Sequence, residues 1–91
     1  MSRYLSDDVI LDMLSKVQKH QGTILKAGYT CHIDATVIDD PYDPSRHRIG
    51  IDCTIFSDSS IIKFFEFNAY DSIEELEEQY QSLVKFVSAI S

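Results

Sequence analysis

Apolar residues first recur at helical spacing, with Ile10, Met13, Leu14 and Val17 on one stripe behind Ser6 as N-cap and Asp7 and Asp8 in the first turn. Gln21, Ile24 and Leu25 continue that stripe toward Gly28, so a helix is predicted from about Asp7 to about Ala27, with Gly22 as an alternative stop. Over residues 29–38 the period falls to two. Tyr29, Cys31, Ile33, Ala35 and Val37 take one face, and Thr30, His32, Asp34 and Thr36 the other, which is the pattern of a half-buried antiparallel strand. Residues 39–45 are dense in turn formers, and Pro41 and Pro44 stop the strand, so an exposed loop follows.

A second strand is predicted where Ile49, Ile51, Cys53 and Ile55 alternate with Gly50, Asp52 and Thr54. The polar run at residues 57–60 turns it into a third, over residues 61–67. That strand is apolar on both faces, which leaves its register open and places one of its aromatics on the solvent side. The last helix opens with a capping box, Ser72 followed by Glu75, and carries Ile73, Leu76, Tyr80, Leu83, Val84, Val87 and Ile90 on one stripe. Glu74, Glu75, Glu78, Ser82 and Lys85 lie opposite. The predicted fold is α+β, in the order α-β-β-β-α: one domain over residues 1–91, a three-stranded antiparallel meander with both helices on one face and the other face open.

Charge sharpens this picture. Eight Lys and Arg against fifteen Asp and Glu give a net charge of −7, which disfavours direct binding to nucleic acid or to an anionic membrane and favours a basic protein surface. Residues 50–91 hold only two bases, Lys63 and Lys85, against eight acids, so an electrostatic partner is expected to meet that half. The densest patch is Asp71, Glu74, Glu75, Glu77 and Glu78, with no base among them. Like charges at i,i+3 and i,i+4 cost roughly 0.2–0.5 kcal/mol per pair, and the helix dipole returns a similar amount, so the patch is nearly neutral for folding. It reads either as a solvated face that keeps a small protein soluble or as a docking surface for Lys and Arg. In the second reading Asp39, Asp40, Asp43 and Tyr42 of the loop extend it, and carboxylates spaced along a helix stand in for phosphates.

Other chemistries find little support. His32, Asp34, Asp52 and Glu66 share the open face and offer ligands of the kind a divalent cation takes, yet alternating polar strands produce such sets by chance and no recognised metal spacing is present. No metal and no cofactor are expected. Gly22, Gly28 and Gly50 never cluster, which excludes a phosphate-binding glycine loop, and no Ser-His-Asp or Cys-His arrangement emerges, so an enzyme is not expected. His20 and His47 read as surface residues, and Arg46, His47 and Arg48 as a basic island that neutralises its own loop. Cys31 and Cys53 read as buried free thiols of a reducing compartment, with a bridge as the alternative if strand register sets them opposite one another. The N-terminal residues lack the apolar core of a secretory signal, and no run reaches membrane-spanning length, so a cytoplasmic protein is expected.

The α-β-β-β-α order resembles that of double-stranded RNA-binding domains, but that family meets phosphates with a lysine cluster where residues 72–78 here are acidic, so RNA would be repelled. Size, acidity and the lack of a catalytic motif make the chain more similar to small acidic inhibitors encoded by bacteriophages, anti-CRISPR proteins in particular. This resemblance is one of architecture and composition and carries no residue motif across. It implies binding to a CRISPR surveillance complex or effector nuclease and occlusion of its basic DNA-binding surface, with Glu74, Glu75, Glu77 and Glu78 as contacts. A toxin-neutralising immunity protein or a small acidic secretion chaperone would share these features. A dimeric ligand- or metal-binding domain would instead depend on His32, Asp34 and Asp52. Both a monomer and a homodimer are compatible with the sequence.

Overall fold

The computed structural model describes residues 5–40, 42–43 and 45–91. The expectations for the first four residues and for Pro41 and Pro44 lie outside the described residues. Ser6 caps α1 (Asp7–Gln18) by accepting from the Val9 amide at 3.4 Å, and Ile10, Met13 and Val17 are its buried stripe. The helix does not run on to Ala27 as its periodicity predicts. It breaks at Lys19 and His20, and a separate short helix, α2 (Gln21–Lys26), follows.

Two tertiary bonds accompany the break: His20 Nε2 lies 2.9 Å from the Tyr80 hydroxyl, and Gln21 Nε2 donates to the Cys31 carbonyl at 3.1 Å. His20 and Gly22 are weak helix formers, so little helix energy opposes the break. Gly28, at φ +96°, ends α2: its amide donates to Leu25 and that of Tyr29 to Ile24, closing a Schellman motif that only a residue free to enter the left-handed region completes cheaply.

Three strands follow, β1 (Thr30–Asp39), β2 (His47–Ser57) and β3 (Ser60–Asn68), in sheet order β1-β2-β3 and antiparallel throughout. Asp58 and Ser59, both at positive φ, make the tight two-residue turn between β2 and β3. Helix α3 (Ile73–Ile90) closes the chain. The α+β class and the order helix, strand, strand, strand, helix are thus as predicted, with the first helical segment divided in two.

Both helical layers lie on one sheet face. Ile10, Met13, Val17, Ile24, Leu76, Leu83 and Val87 pack there against Cys31, Ile51, Cys53, Ile55, Phe65 and Phe67 in one cluster. Phe67 is fully buried at its centre, and truncating it to Ala would cost about 3–5 kcal/mol. The helices are shorter than the sheet is long. Ala35 and Val37, predicted to face inward, do lie on that face, but they project past the helices: Val37 is 69% exposed. Ile73, predicted within the α3 stripe, is likewise 56% exposed at the first turn.

Register fixes what alternation left open. Phe65 and Phe67 point inward opposite Cys53 and Ile51, whereas Phe64, opposite Thr54, is the aromatic on the open face. An irregularity between Ile55 and Phe56 then shifts the pairing by one residue, so that Ile61 rather than Ile62 faces Phe56.

Candidate functional site

Register also brings together charges that are remote in sequence. On the open face Asp34 of β1 lies opposite Asp52 of β2, and Asp52 lies opposite Glu66 of β3, making one row of carboxylates across the sheet. Like charges directly opposite one another destabilise a sheet. At the Glu66 end this row meets the start of α3. Phe64, Glu66, Asp71, Glu75, Glu78 and Gln79 line an open groove of about 420 Å³. Phe64 and Glu66 belong to the open face and Glu75, Glu78 and Gln79 to a helix on the other, so the groove wraps around the free edge of β3.

The local sequence holds these carboxylates in place. Asn68 ends β3 in a polar turn: its amide donates to Asp71 Oδ2 at 3.1 Å, its Oδ1 accepts from the Tyr70 amide at 3.0 Å, and its Nδ2 donates to Glu66 Oε1 at 3.1 Å. The capping box is complete, with Ser72 Oγ accepting from the Glu75 amide at 3.1 Å and Glu75 Oε1 accepting from the Ser72 amide at 3.2 Å. Glu75 therefore serves the helix start as well as the groove, whereas Glu74, Glu77 and Glu78 stand exposed along the next turn. The ion pairs found among the described residues are Lys16 with Asp12, Arg46 with Asp43 and His47 with Asp39, and none of them reaches this belt.

The loop acids are arranged differently. Asp39 Oδ1 is 3.2 Å from His47 Nδ1. Asp43 accepts from both the amide and the hydroxyl of Ser45, at 3.1 and 2.6 Å, and faces Arg46 Nε at 3.3 Å. Those Ser45 bonds, with the Arg46 charge adding to them, hold the Asp43 carboxyl below its usual range. Asp40 is buried, only 4% exposed, and its carboxylate accepts from the Tyr42 amide at 2.9 Å. Of the four predicted loop contacts, Tyr42 is 75% exposed and Asp39 is exposed as well. The Tyr70 hydroxyl donates to the Asp39 carbonyl at 2.9 Å, which ties the loop to the approach to α3.

Sequence reasoning thus named the acids of α3 but did not join them to Asp34, Asp52 and Glu66. Alternation alone assigns those three to the open face, and only register aligns them. Among the described residues no group of three or more His, Cys, Asp or Glu is placed to hold a metal ion. His20, expected at the surface, is half-buried against Tyr80, with Lys16 Nζ 5.9 Å from the centre of the same ring. No helix of the described residues is long and apolar enough to cross a membrane. Comparison with protein-family models, with curated proteins and with solved structures gives no match.

Proposed function

We propose that this chain is a non-enzymatic binding protein whose acidic belt occupies a basic surface on a nucleic-acid-handling protein complex and blocks access of DNA or RNA to it. The observation that carries this reading is the belt itself. Carboxylates from β1, β2, β3 and α3 form a continuous band, unpaired with any base among the described residues, in an arrangement that folding alone would not favour. Spaced negative charges on a rigid frame present to Lys and Arg what a phosphate backbone presents. Phe64, 52% exposed at the rim of the groove, adds an aromatic face on which a guanidinium stacks.

The resemblance to anti-CRISPR inhibitors makes a guide-loaded CRISPR effector the first partner to test, and a basic toxin the second. A purified effector bound to labelled target duplex is titrated with the native chain and with a Glu74→Gln, Glu77→Gln, Glu78→Gln variant, which leaves the capping box intact. Three exposed pairs at about 0.2–1 kcal/mol each predict displacement weakened about tenfold in the variant and by added salt in both. Displacement that ignores the substitutions and the salt would reject the belt as the contact.

A second reading, a homodimer formed through the open face, is favoured by one observation. Ile61, Ile62 and Phe64 are 62%, 40% and 52% exposed beside Phe56, whose ring centroid lies 5.2 Å from that of His32. Equilibrium sedimentation of the native chain and of Phe64→Ser tests it: a concentration-dependent dimer lost in the variant supports the pairing, and a native monomer removes it.

A further inference from the structure

Two thiols in the core have no part in the belt. Cys31 and Cys53 sit on neighbouring strands and the same inward face, both reduced, with their sulfurs 3.9 Å apart. They are diagonal neighbours rather than direct partners, since Cys31 lies opposite Ile55 and Cys53 opposite Ile33. We propose that they form a peroxide-oxidisable pair, with Cys31 the sulfur that reacts first and Cys53 the sulfur that resolves it into an intramolecular disulfide.

The two positions differ in the way such a division needs. Cys31 is on an edge strand and 4% exposed, whereas Cys53 is on the central strand and fully buried. The cover over Cys31 is the weakest part of the helical layer: α2 has six residues, too few to be stable alone, and Gln21 at its start is bonded to the Cys31 carbonyl. Opening of α2 would bare Cys31 and leave Cys53, on β2, under α1. The thiol hydrogen bond from Cys53 also favours the Cys31 thiolate and holds its proton affinity below the usual thiol value, while the same bond and burial push Cys53 up.

The chemistry closes with hydrogen peroxide as oxidant. The Cys31 thiolate attacks one peroxide oxygen and the O–O bond breaks, leaving a sulfenic acid on Cys31 and, after protonation, one water. The Cys53 sulfur then attacks the Cys31 sulfur, the S–S bond forms and the S–O bond breaks, and the hydroxyl leaves with the Cys53 proton as a second water. Two thiols and one peroxide yield one disulfide and two waters. Diagonal neighbours in a sheet lie about 7–8 Å apart at Cα, beyond the roughly 4.4–6.8 Å that a disulfide usually spans, so closing the bond draws β1 and β2 together locally and leaves it strained and readily reduced.

Intact-mass measurement of the folded chain after peroxide treatment tests this directly. The expected result is a loss of about 2 Da per monomer, restored by dithiothreitol, with no intermolecular dimer. Cys53→Ala should accumulate a dimedone-reactive sulfenic acid on Cys31, a gain of about 16 Da before trapping, and Cys31→Ala should stay reduced at the same dose. A folded native chain that keeps both thiols, or that gains oxygen without losing the two mass units, overturns the proposal. That measurement needs no variant to fold.

Discussion

Two groups of acids on this molecule, within reach of one end of the sheet, are used in opposite ways. In the loop between β1 and β2 each carboxylate is satisfied locally, Asp39 by His47, Asp40 by the Tyr42 amide, and Asp43 by Ser45 and Arg46. Across the open face and along α3 the carboxylates are lined up against one another and meet no base among the described residues. The first group shapes a loop and the second shapes a field. A count of acids does not separate them, since both are equally acidic stretches of sequence. What separates most of them is whether the charge is answered within the fold or left to solvent; Glu66, Asp71 and Glu75 do both, each also accepting a local hydrogen bond.

Substitution should expose that difference in stability before any partner is known. Among the acids the largest effect is expected from Asp40→Ala, which removes a buried carboxylate together with its bond to the Tyr42 amide and should cost about 1–3 kcal/mol in urea denaturation. Ser72→Ala removes the hydroxyl of the α3 cap and should cost about 1 kcal/mol, read as a lowered midpoint and fraying of the first turn. Belt acids other than Glu66, Asp71 and Glu75, which hold local bonds, should shift stability the other way. Asp52→Thr relieves repulsion from both Asp34 and Glu66, and should raise stability by about 0.2–1 kcal/mol. Glu78→Gln should raise it by about 0.2–0.5 kcal/mol or leave it unchanged. A belt acid whose neutral variant is destabilised by more than 1 kcal/mol would belong with the loop acids instead.

The smallest effect is in pH. Asp43 has its proton affinity lowered in the folded state, so its contribution is present above the unfolded carboxylate value and is lost as pH falls through the depressed one. Amide shifts of Ser45 and the Arg46 Nε resonance should therefore hold steady down to its ordinary value of 3.8 and move only below it. Movement well above that value would mean that Ser45 and Arg46 do not hold the carboxylate in solution.

Much of the frame was legible in the sequence because its signals are local. The Ser6 and Ser72 caps, the period-two run from Tyr29 and the polar turn at Asp58 and Ser59 each depend on near neighbours, and each gives the element it predicts. The errors fall where distant contacts decide. A continuous stripe through Gln21 and Ile24 predicts an unbroken helix, but His20 reaching Tyr80 and Gln21 reaching Cys31 accompany a break that local spacing does not contain. Val37 and Ile73 are apolar at inward periodicity, yet both are exposed, Val37 where β1 runs past the helices and Ile73 at the first turn of α3. The belt was half legible for the same reason: four glutamates in one helix are visible as a string, whereas the alignment of Asp34, Asp52 and Glu66 exists only once the strands are in register.

The measurement that reaches the central claim most directly sets the two acidic regions against each other on one partner. Displacement of labelled target DNA from a purified guide-loaded effector is compared for the native chain, for Glu74→Gln, Glu77→Gln, Glu78→Gln, and for Asp39→Asn, Asp43→Asn. The account predicts that the belt variant folds at least as stably as the native chain and loses about tenfold in potency, while the loop variant keeps its potency. A loop variant that loses displacement while the belt variant retains it would contradict the account.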